Sequence, residues 1–542
     1  MNLSSPFYAR VLLIAAMLAV FLPLVSGDFV WDDHLLVVDN SLTDSLANAV
    51  AMFQTDLWGS TPVPEPEPGY YRPLMLVDLA LTRAIAGLDP GAHRFHNLLW
   101  HGLAVVLLLR LLDRLKVSRM AATIGAAVFA VHPVQVEAVG FVAARNDPMA
   151  AAWMLLALLL LSKHRPSLGA LVGGAAAACA AMLCKESVAF APIVLMCTSR
   201  VRWGGWGTFM AHLAMIGGLA AAFVLRWWAG VGAPAQADAA HLNAFSGPAL
   251  ALYLDKLIWP VAEAPVIHLA WEPVIPWGLA GCTVVLLAVL AWTGGTLARY
   301  GLIVAGLGLA PAFAAVAHVG AVVDRYMYLP MVGVAWMVAS VMHQGWRQIV
   351  GVGAVFACVI GSSMQVPIWA NDGTLWKASI ERAPSGYAMG ALARWLEDQG
   401  EAVQAAHWYR EAVVHPPRPF HESCYNVTRI QLKLGDPEAA IAVGQEAEQA
   451  GCEVTPELVA PVALAHALVG EWDEALSQAG RLDEDPTGKA LIARLASQAA
   501  LGDVQPLREA IEREGPALAD QVMKVLKHAQ ADLGPIRAQL DF

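Results

Sequence analysis

The sequence predicts an all-α protein in two parts, a polytopic membrane domain and a polar domain of helical repeats. Of its 542 residues, 57% are hydrophobic and only 15% are charged, whereas about 25% charge is typical of soluble domains. Long apolar runs recur up to residue 368, and such runs form membrane-spanning helices because a helix satisfies its own backbone hydrogen bonds in lipid. From Trp369 onward the chain is polar and acidic. We therefore expect a membrane domain over residues 1–368 and a soluble domain over 369–542.

The apolar runs predict about eleven spans of membrane-crossing length. They are expected at residues 8–27, 95–112, 120–140, 148–162, 168–184, 187–199, 207–227, 275–293, 300–318, 328–343 and 348–368. The first span could instead be a signal peptide cleaved near Ser26. We favour an uncleaved helix, because the chain remains a membrane protein throughout and resumes at once with a charged motif. Residues 250–266 are apolar but contain Asp255 and Lys256, with Pro260 behind them, which favours an interfacial or re-entrant helix.

Basic residues are concentrated in alternate loops, and the positive-inside rule assigns such loops to the cytoplasm. These residues are Arg110, Arg114, Lys116, Arg119, Lys163, His164, Arg165, Arg200, Arg202, Arg299 and Arg347. The N-terminus is then cytoplasmic. The polar tail is then predicted to lie on the extracytoplasmic side, together with residues 28–94, 145–147, 230–273 and 324–326. We accordingly predict an integral protein of a bacterial inner membrane with periplasmic repeats.

Glycines recur about every 34 residues in the polar part, each between two helical patterns. They are Gly400, Gly435, Gly470 and Gly502. The clearest unit has the small-and-large alternation of a tetratricopeptide repeat, with Ala393, Leu396, Gly400, Ala405, Tyr409, Ala412 and Pro417. This pattern predicts an α-solenoid, which commonly presents a concave surface to a peptide or protein. A purely structural cap is the alternative.

Seven cysteines are present, and two of them, Cys424 and Cys452, lie in the polar part. A disulfide between these two is possible in an oxidising compartment. The other five lie in or beside apolar runs and are expected to be packing residues. No cysteine or histidine spacing typical of a metal site occurs.

An aspartate pair, Asp32 and Asp33, follows the first predicted span within the motif Trp31-Asp32-Asp33-His34. Carboxylates at this position are costly unless they are solvated, paired or functional. One interpretation is an acidic turn in the headgroup region. The other is a general base toward a hydroxyl, or a group that positions a cation or a metal.

Further charged residues are predicted on the same face of the membrane as this pair. They are Arg72, Arg94, His96, His132, Glu137, Arg145, Lys185 and Arg325. Some have simpler interpretations, since arginine beside tyrosine can anchor a protein at the interface and Lys185 can extend toward the headgroups beside Glu186. His132 and Glu137 would share a helix face only if Pro133 kinks that helix. Together the residues indicate a site for an anionic, lipid-linked substrate.

Several motifs resemble those of the transmembrane and tetratricopeptide repeat-containing O-mannosyltransferases and their bacterial relatives in the GT-C glycosyltransferase superfamily. The motifs, in chain order, are FVWDDHLLVVDNSL, YYRPL, HRFHNLLWH, AVHPVQVEAVGFVAARND, LCKES and DRYMYLP. The resemblance implies a GT-C fold of about eleven to thirteen transmembrane helices, an extracytoplasmic active site and a polyprenyl-phosphate sugar donor. It also implies inverting transfer to a serine or threonine hydroxyl. Asp33 would be the base with Asp32 orienting the acceptor or the loop, and Arg145, Lys185 and Arg325 would bind the donor phosphate.

The tail has fewer repeats than the animal proteins of this family, and the composition looks bacterial, which favours undecaprenyl phosphate as the carrier. Transfer to a glycan or a lipid, and a non-catalytic membrane scaffold, are the alternatives. Expected partners are therefore the lipid-linked donor, a protein or peptide acceptor and membrane lipids, with no nucleic acid. No cofactor is firmly implied. A divalent metal remains open but is not favoured, because no third carboxylate accompanies the pair.

Overall fold

In a computed structural model, the chain folds as two compact units, Met1–Ala383 and Pro384–Phe542. The structure describes residues 6–61, 69–163, 165–198, 205–232, 239–258, 264–271, 273–343, 345–417, 419–482 and 488–540. The residues named above that lie outside these ranges are His164, Arg200, Arg202 and Pro260. The first unit extends past residue 368, because the helix that follows the last apolar span packs within this unit.

Sixteen α-helices and one two-stranded ribbon make up the described part of the first unit. The helices are α1 (Pro6–Phe21), α2 (Ala49–Met52), α3 (Pro73–Ala86), α4 (Pro90–Arg114), α5 (Arg119–Val131), α6 (Val136–Gly140), α7 (Asn146–Leu161), α8 (Leu168–Cys184), α9 (Ala191–Thr198), α10 (Trp206–Trp228), α11 (Ala239–Lys256), α12 (Trp277–Thr293), α13 (Gly295–Val319), α14 (Tyr328–Val341), α15 (Trp346–Gln365) and α16 (Asp372–Arg382). Strands β1 (Val266–His268) and β2 (Ala321–Val323) pair antiparallel, with Val266 opposite Val323.

Short helical turns connect these elements. Nine of those in the described residues are 3-10 turns, at Leu22–Ser26, Ser41–Asp44, Leu46–Asn48, Pro133–Gln135, Val142–Ala144, Glu186–Phe190, Leu269–Trp271, Asp324–Met327 and Val366–Trp369. A single π-helical turn, His34–Val38, follows the aspartate pair.

Six described helical segments are long and apolar enough to cross a membrane, or seven if one bent pair is counted as a span. They are Phe7–Ser26, Pro90–Arg114, Val142–Leu161, Trp206–Trp228, Gly295–Val319 and Trp346–Trp369, with the bent pair α5 and α6. The other predicted spans coincide with shorter helices, which are α8, the segment Glu186–Thr198, α12 and α14. The predicted fold class, an all-α membrane protein, is confirmed.

The helix predicted at residues 120–140 is broken at His132-Pro133, where α5 and α6 meet at 53°. Proline lacks a backbone N–H and disfavours helical geometry in the residue before it. His132 is accordingly extended, with φ −71° and ψ 138°. The kink that Pro133 could introduce therefore exists, and it places Glu137 at the start of a separate short helix.

Only the first part of the helix predicted over residues 250–266 is present among the described residues, and residues 259–263 lie outside them. Helix α11 ends at Lys256, and β1 begins at Val266 as the partner of β2. Lys256 is buried, and its ammonium contacts Asp324 at 2.6 Å and the carbonyl of Ala264 at 3.1 Å. A buried lysine must be paired, so this ion pair holds the end of α11 against the β2 turn.

Small residues allow close helix packing in the first unit. A Cβ on Gly333 of α14 would lie 2.3 Å from the backbone nitrogen of Ala305 in α13, and one on Gly301 would lie 2.7 Å from that of Met337. Close backbone approach through glycine is typical of helices packed within a membrane. This pair of helices supports the turn Asp324–Met327 that connects β2 to α14.

The second unit consists of ten described helices in succession. They are α17 (Gly386–Asp398), α18 (Ala402–Val414), α19 (His421–Leu434), α20 (Pro437–Gln449), α21 (Pro456–Val469), α22 (Trp472–Ala479), α23 (Lys489–Ala500), α24 (Gln505–Glu514), α25 (Pro516–His528) and α26 (Leu533–Leu540). Gly435 ends α19 and Gly470 ends α21, both with left-handed backbone that other residues adopt at a cost. The helical character predicted for this part is confirmed, and its assignment as tetratricopeptide repeats stays a prediction.

Ion pairs connect successive helix pairs of the second unit. Glu397 accepts from Arg429 at 2.5 and 2.8 Å and from Lys433 at 2.9 Å. These contacts lower the pKa of Glu397 to about 2, chiefly through the hydrogen bonds from Arg429. Arg410 and Glu446 form a similar pair at 2.6 Å. Both pairs join residues about one repeat length apart, so they favour the stacking of neighbouring units.

Cys424 and Cys452 form a disulfide, with their Cα atoms 5.9 Å apart. The free cysteines among the described residues, Cys179, Cys184, Cys197, Cys282 and Cys358, all lie in the first unit. The disulfide closes a loop from α19 to Cys452, three residues beyond the end of α20. It therefore restricts the unfolded chain of the second unit only.

We expect loss of this disulfide to reduce the free energy of unfolding of the second unit by about 3–4 kcal/mol, from the loop-closure entropy of a separation of 28 residues. The measurement is thermal unfolding of the full chain carrying Cys424→Ser and Cys452→Ser. Cys282→Ser, which removes an exposed free thiol, is the control. An unchanged midpoint in the double variant would contradict the expectation.

The ends of several spans meet at one end of the helix bundle. Arg94, near the start of α4, donates to the carbonyl of Leu24 at 3.1 Å and to that of Trp369 at 2.7 Å. It also donates to the carbonyl of Asp28. One guanidinium thus joins the ends of the first and last long spans to the loop that carries the aspartate pair.

Candidate active site

The two aspartates of the pair have different surroundings. Asp33 is completely buried, and its carboxylate accepts backbone N–H groups from Val30 at 3.1 Å, Val142 at 3.3 Å and Ala143 at 2.7 Å. Burial raises the pKa of Asp33 to about 7, against the lowering effect of these amides and of nearby Arg94. Both oxygens of Asp33 are therefore engaged in joining its own turn to the start of the Val142–Leu161 span.

Asp32, in contrast, is only partly buried. Its charge acts on Arg325, which lies in the turn before α14. Burial alone would lower the pKa of Arg325, but Glu137, Tyr326 and Asp32 together raise it. Asp32 is thus the member of the pair that combines access to solvent with proximity to a fixed cation.

Arg325 is held by a carboxylate and by aromatic rings. Its backbone N–H donates to Glu137 at 2.9 Å, and its guanidinium donates to the other oxygen of Glu137 at 2.5 Å. The guanidinium also lies 4.9 Å from the centroid of the Trp31 ring and 5.3 Å from that of Phe141. Stacking of this kind favours arginine over lysine, and it orients the cation beside the aspartate turn.

Two further cations belong to the same neighbourhood. The ammonium of Lys185 contacts Asp147 at 2.5 Å and lies 5.5 Å from the centroid of the Tyr326 ring. Arg72 contacts Glu186 at 3.2 Å. Lys185 also interacts electrostatically with both Arg72 and Arg325. Arg72, Lys185 and Arg325, called the cation cluster below, are thus predicted site residues that the fold brings together.

Each cation of this cluster is fixed by one carboxylate, namely Glu186, Asp147 or Glu137. Arg72 additionally lies 4.5 Å from the centroid of the Tyr70 ring. Pairing with carboxylates keeps the cations charged in a buried environment, while donors remain for an added anion because arginine has five N–H groups and lysine three. The cluster is therefore suited to bind a phosphate.

Arg145 and His96 belong to a different network. Arg145 is completely buried and donates to Asn97 at 2.6 Å, to Thr82 at 2.8 Å and to Asp78 at 3.1 Å. The remaining amino group of Arg145 donates to the carbonyl of His93 at 2.8 Å. His96 contacts the same Thr82 at 2.6 Å. All the nitrogens of Arg145 are engaged within the protein, so this residue joins α3, α4 and α7.

We expect Arg145→Lys to reduce stability far more than it changes the chemistry of the folded protein. One ammonium cannot replace these directional bonds, and each buried acceptor left unsatisfied costs about 1–3 kcal/mol. The measurement is the thermal unfolding midpoint in detergent, with Arg110→Lys, an exposed position, as the control. Folded Arg145→Lys protein that is as stable as the unaltered chain would refute the structural role.

Two other predicted residues also lie outside the cation cluster. The hydrogen bonds of Arg94 go to the backbone carbonyls described above. His132 accepts from the N–H of Val134 at 3.4 Å, and its other ring nitrogen lies 3.4 Å from the carbonyl of Leu257. Both residues support the loops around the site.

Several residues of the site escaped the sequence analysis. Asp147 and Glu186 stand beside predicted basic residues and were assigned no separate role, although adjacent opposite charges at the end of a span were a usable signal. Asp78 lies within an apolar helix, where an acidic residue indicates a buried partner. Asp372 had no such signal, because it opens an ordinary polar helix beyond the predicted membrane domain.

Within the described ranges, no group of three or more histidine, cysteine, aspartate or glutamate side chains is placed to hold a metal ion. Asp32 and Asp33 stand together, but the carboxylate of Asp33 faces backbone amides. Cations that act on the pair include Arg325, beside Asp32, and Arg94, beside Asp33.

The fold and the site together define an integral membrane protein with a polar, cation-rich site where its spans end. Comparison with curated proteins shows similarity to proteins named protein O-mannosyl-transferase. The chain is 29% identical over 180 residues to Tmtc1 of Drosophila melanogaster, which covers 33% of this chain and 21% of the relative. It is 31% identical to TMTC2 of Mus musculus over 147 residues, or 27% and 18% of the two chains, and 30% identical to TMTC3 of Mus musculus over 137 residues, or 25% and 15%.

The chain thus matches only about a fifth or less of the length of these curated relatives. No family model matches it, and no solved structure matches it. The resemblance to the transmembrane and tetratricopeptide repeat-containing family, expected from the motifs, is confirmed by the similarity to these relatives.

Proposed function

We propose that this chain is an inverting membrane glycosyltransferase of the GT-C type, which transfers a sugar from a polyprenyl phosphate to a serine or threonine hydroxyl of a protein. The names of its relatives support a glycosyltransferase that acts on protein. The observation that carries the proposal is the placement of Asp32, partly exposed, beside Arg325 of the cation cluster. A base for a hydroxyl thus adjoins a binding site for a phosphate leaving group.

In the proposed reaction, Asp32 takes the proton of the acceptor hydroxyl as its oxygen attacks the anomeric carbon of the sugar. A new carbon–oxygen bond forms, and the bond from that carbon to the phosphate oxygen breaks with inversion. The phosphate departs with the bonding electron pair and remains attached to its lipid. Arg72, Lys185 and Arg325 stabilise the charge that develops on it, which is the largest single catalytic contribution in many transferases.

The assignment of the base to Asp32 differs from the expectation that favoured Asp33. A general base must reach the proton that it removes, and the carboxylate of Asp33 is buried against three backbone amides. Asp33 instead holds the turn that presents Asp32. In this proposal Asp32 is the base, and Asp33 supports the turn that carries it.

We further propose that the site and the second unit are extracytoplasmic, in a bacterial inner membrane with undecaprenyl phosphate as the carrier. The disulfide between Cys424 and Cys452 supports this side for the second unit, because disulfides persist in oxidising compartments such as the periplasm. The positive-inside distribution gives the same orientation. The helical repeats would supply the acceptor by binding polypeptide.

The test is mass spectrometry of envelope proteins and lipids from cells with and without the gene, followed by transfer with purified full-length protein and polyprenyl-phosphate sugars. We expect sugar on serine or threonine of proteins only when the gene is present. Sugar appearing on a glycan or a lipid but never on polypeptide would refute the protein acceptor. Loss of the gene without any change in glycosylation would favour the scaffold alternative.

We also expect transfer to be independent of divalent metal, because the proposed site neutralises the phosphate with three side-chain cations. The measurement is the initial rate of transfer after dialysis against a chelator, with and without added Mg²⁺ or Mn²⁺. A rate unchanged by either treatment is the expected result. A loss that only the metal restores would overturn metal-independent transfer while leaving the sugar-transfer activity established.

A further inference from the structure

The turn that carries the aspartate pair has a strained backbone. Trp31 has a φ of 52°, a left-handed conformation that a bulky aromatic residue rarely adopts. Such a conformation costs about 1–3 kcal/mol and persists only where its surroundings hold it. The residues that hold Trp31 in this conformation are of functional interest, because the backbone of Trp31 sets the position of the next residue, Asp32.

Asp372, the first residue of α16, holds both sides of this turn. One carboxylate oxygen accepts the N–H of Trp31 at 2.8 Å, and the other lies 2.8 Å from the Nε2 of His34. The two contacts flank the aspartate pair, which lies between residues 31 and 34. They join positions 341 and 338 residues apart in the chain, so they depend entirely on the tertiary fold.

Helix α16 is itself well placed for this contact. Its N-cap, Asn371, forms a capping box with Thr374, which fixes the first turn of the helix. Trp376 lies one turn beyond Asp372, on the same face, and its ring meets the edge of the Trp31 ring with centroids 5.5 Å apart. The Trp31 ring also stacks on Phe141, with centroids 5.5 Å apart. The strained residue is therefore held through its backbone and through its ring.

The held ring is also the one on which Arg325 stacks, at 4.9 Å from its centroid. A displacement of Trp31 would therefore move Asp32 and the nearest cation of the cluster relative to each other. Asp33 fixes the other side of the turn, against the start of the Val142–Leu161 span. The contacts of α16 come from beyond the last long apolar segment.

We propose that Asp372 is a positioning residue that holds the turn Trp31–His34 in the strained conformation that presents Asp32 to the acceptor. The proposal deepens the proposed function and rests on it for its kinetic consequence. Its geometric part, the contacts of Asp372 with Trp31 and His34, does not depend on the proposed reaction. The segment directly after the membrane spans is on this view part of the active site.

The test compares full-length chains that carry Asp372→Asn, Asp372→Ala and Asp372→Glu with Glu381→Gln, an exposed acidic residue on the same helix, as the control. We expect kcat for sugar transfer to fall at least about tenfold in Asp372→Ala, since small misplacements of reacting groups are costly. The KM for the donor should remain unchanged, because the cation cluster is intact. Asp372→Glu should recover part of the rate, and the control should retain all of it.

A second readout does not depend on activity. The contact with Asp372, with contributions from Asp33 and Asp39, raises the pKa of His34 above its ordinary value. His34 is about half exposed, so its rate of modification by diethylpyrocarbonate can be followed against pH by mass spectrometry. We expect the midpoint of this profile to move to lower pH in Asp372→Asn and to stay in place in Glu381→Gln.

The two readouts separate the outcomes. If Asp372→Asn leaves the midpoint of the His34 modification profile unchanged, the contact between Asp372 and His34 is refuted. A normal kcat in Asp372→Ala, in protein that transfers sugar, would overturn the positioning role and leave the proposed function standing. If the unaltered chain transfers no sugar but Asp372→Asn still lowers the midpoint of the His34 profile, the proposed function fails and the contact between Asp372 and His34 is supported.

Discussion

Replacement of Asp32 by asparagine is expected to reduce the rate of sugar transfer by about 10²–10⁴-fold, the usual contribution of a general base. Asparagine has nearly the same size but cannot accept the acceptor proton. Asp32 is partly exposed, so the protein should retain its thermal unfolding midpoint. The measurement is single-turnover transfer from a polyprenyl-phosphate sugar to a peptide, together with unfolding in detergent.

The matched variant is Asp33→Asn, one residue further along. An amide in place of this carboxylate turns a donor group toward backbone N–H groups that need an acceptor, and an unsatisfied buried polar group costs about 1–3 kcal/mol. We therefore expect a lower unfolding midpoint for Asp33→Asn, with less effect on transfer per folded molecule than Asp32→Asn produces. The reverse result, with Asp33→Asn stable and inactive and Asp32→Asn active, would show that Asp33 is the base.

Replacement of Arg325 by glutamine should have two large effects with separate causes. Loss of a cation from the phosphate site should reduce transfer by about 10²–10³-fold, as for the loss of a single oxyanion donor. In addition, the buried carboxylate of Glu137 loses its partner, and breaking a buried pair costs about 3–5 kcal/mol. Transfer rates and unfolding midpoints in detergent measure the two effects.

A double variant separates these effects. Arg325→Gln with Glu137→Gln removes both charges, so most of the stability should return while transfer stays low. Arg325→Lys should restore transfer only weakly, because an ammonium cannot donate from both edges of a planar group that also stacks on Trp31. Arg410→Gln, which removes an exposed pair in the second unit, is the control. Full transfer by the double variant would exclude Arg325 from the site.

The two arginines Arg145 and Arg325 show where sequence reasoning ends. Both follow apolar segments on the same predicted face, and the motifs give both the same proposed role. In the structure, the nitrogens of Arg145 are engaged with α3 and α4, whereas Arg325 lies by the aspartate turn. Their partners lie 67 and 188 residues away, and no local pattern in the chain predicts pairings at such distances.

The aspartate pair gives the same lesson on a smaller scale. Adjacent residues of the same type cannot be ranked by composition or by spacing. Burial ranks them, because Asp33 turns inward to three amides while Asp32 stays partly exposed. The early end of the helix predicted over residues 250–266 has a related cause, since an apolar run looks the same whether it continues as a helix or ends before a short buried strand.

The sequence by itself determined the all-α membrane class, the position of most of the apolar helices and the polar helical part that follows. These features depend on local hydrophobicity, chain length and backbone chemistry, which are properties of neighbouring residues. Only the tertiary structure decided which charges meet. It assigned Arg72, Lys185 and Arg325 to one cluster, gave Arg94 and Arg145 to the framework, and brought Asp372 from beyond the last span to the turn of Asp32. Buried charges require partners, and which partner each one finds depends on how the helices pack.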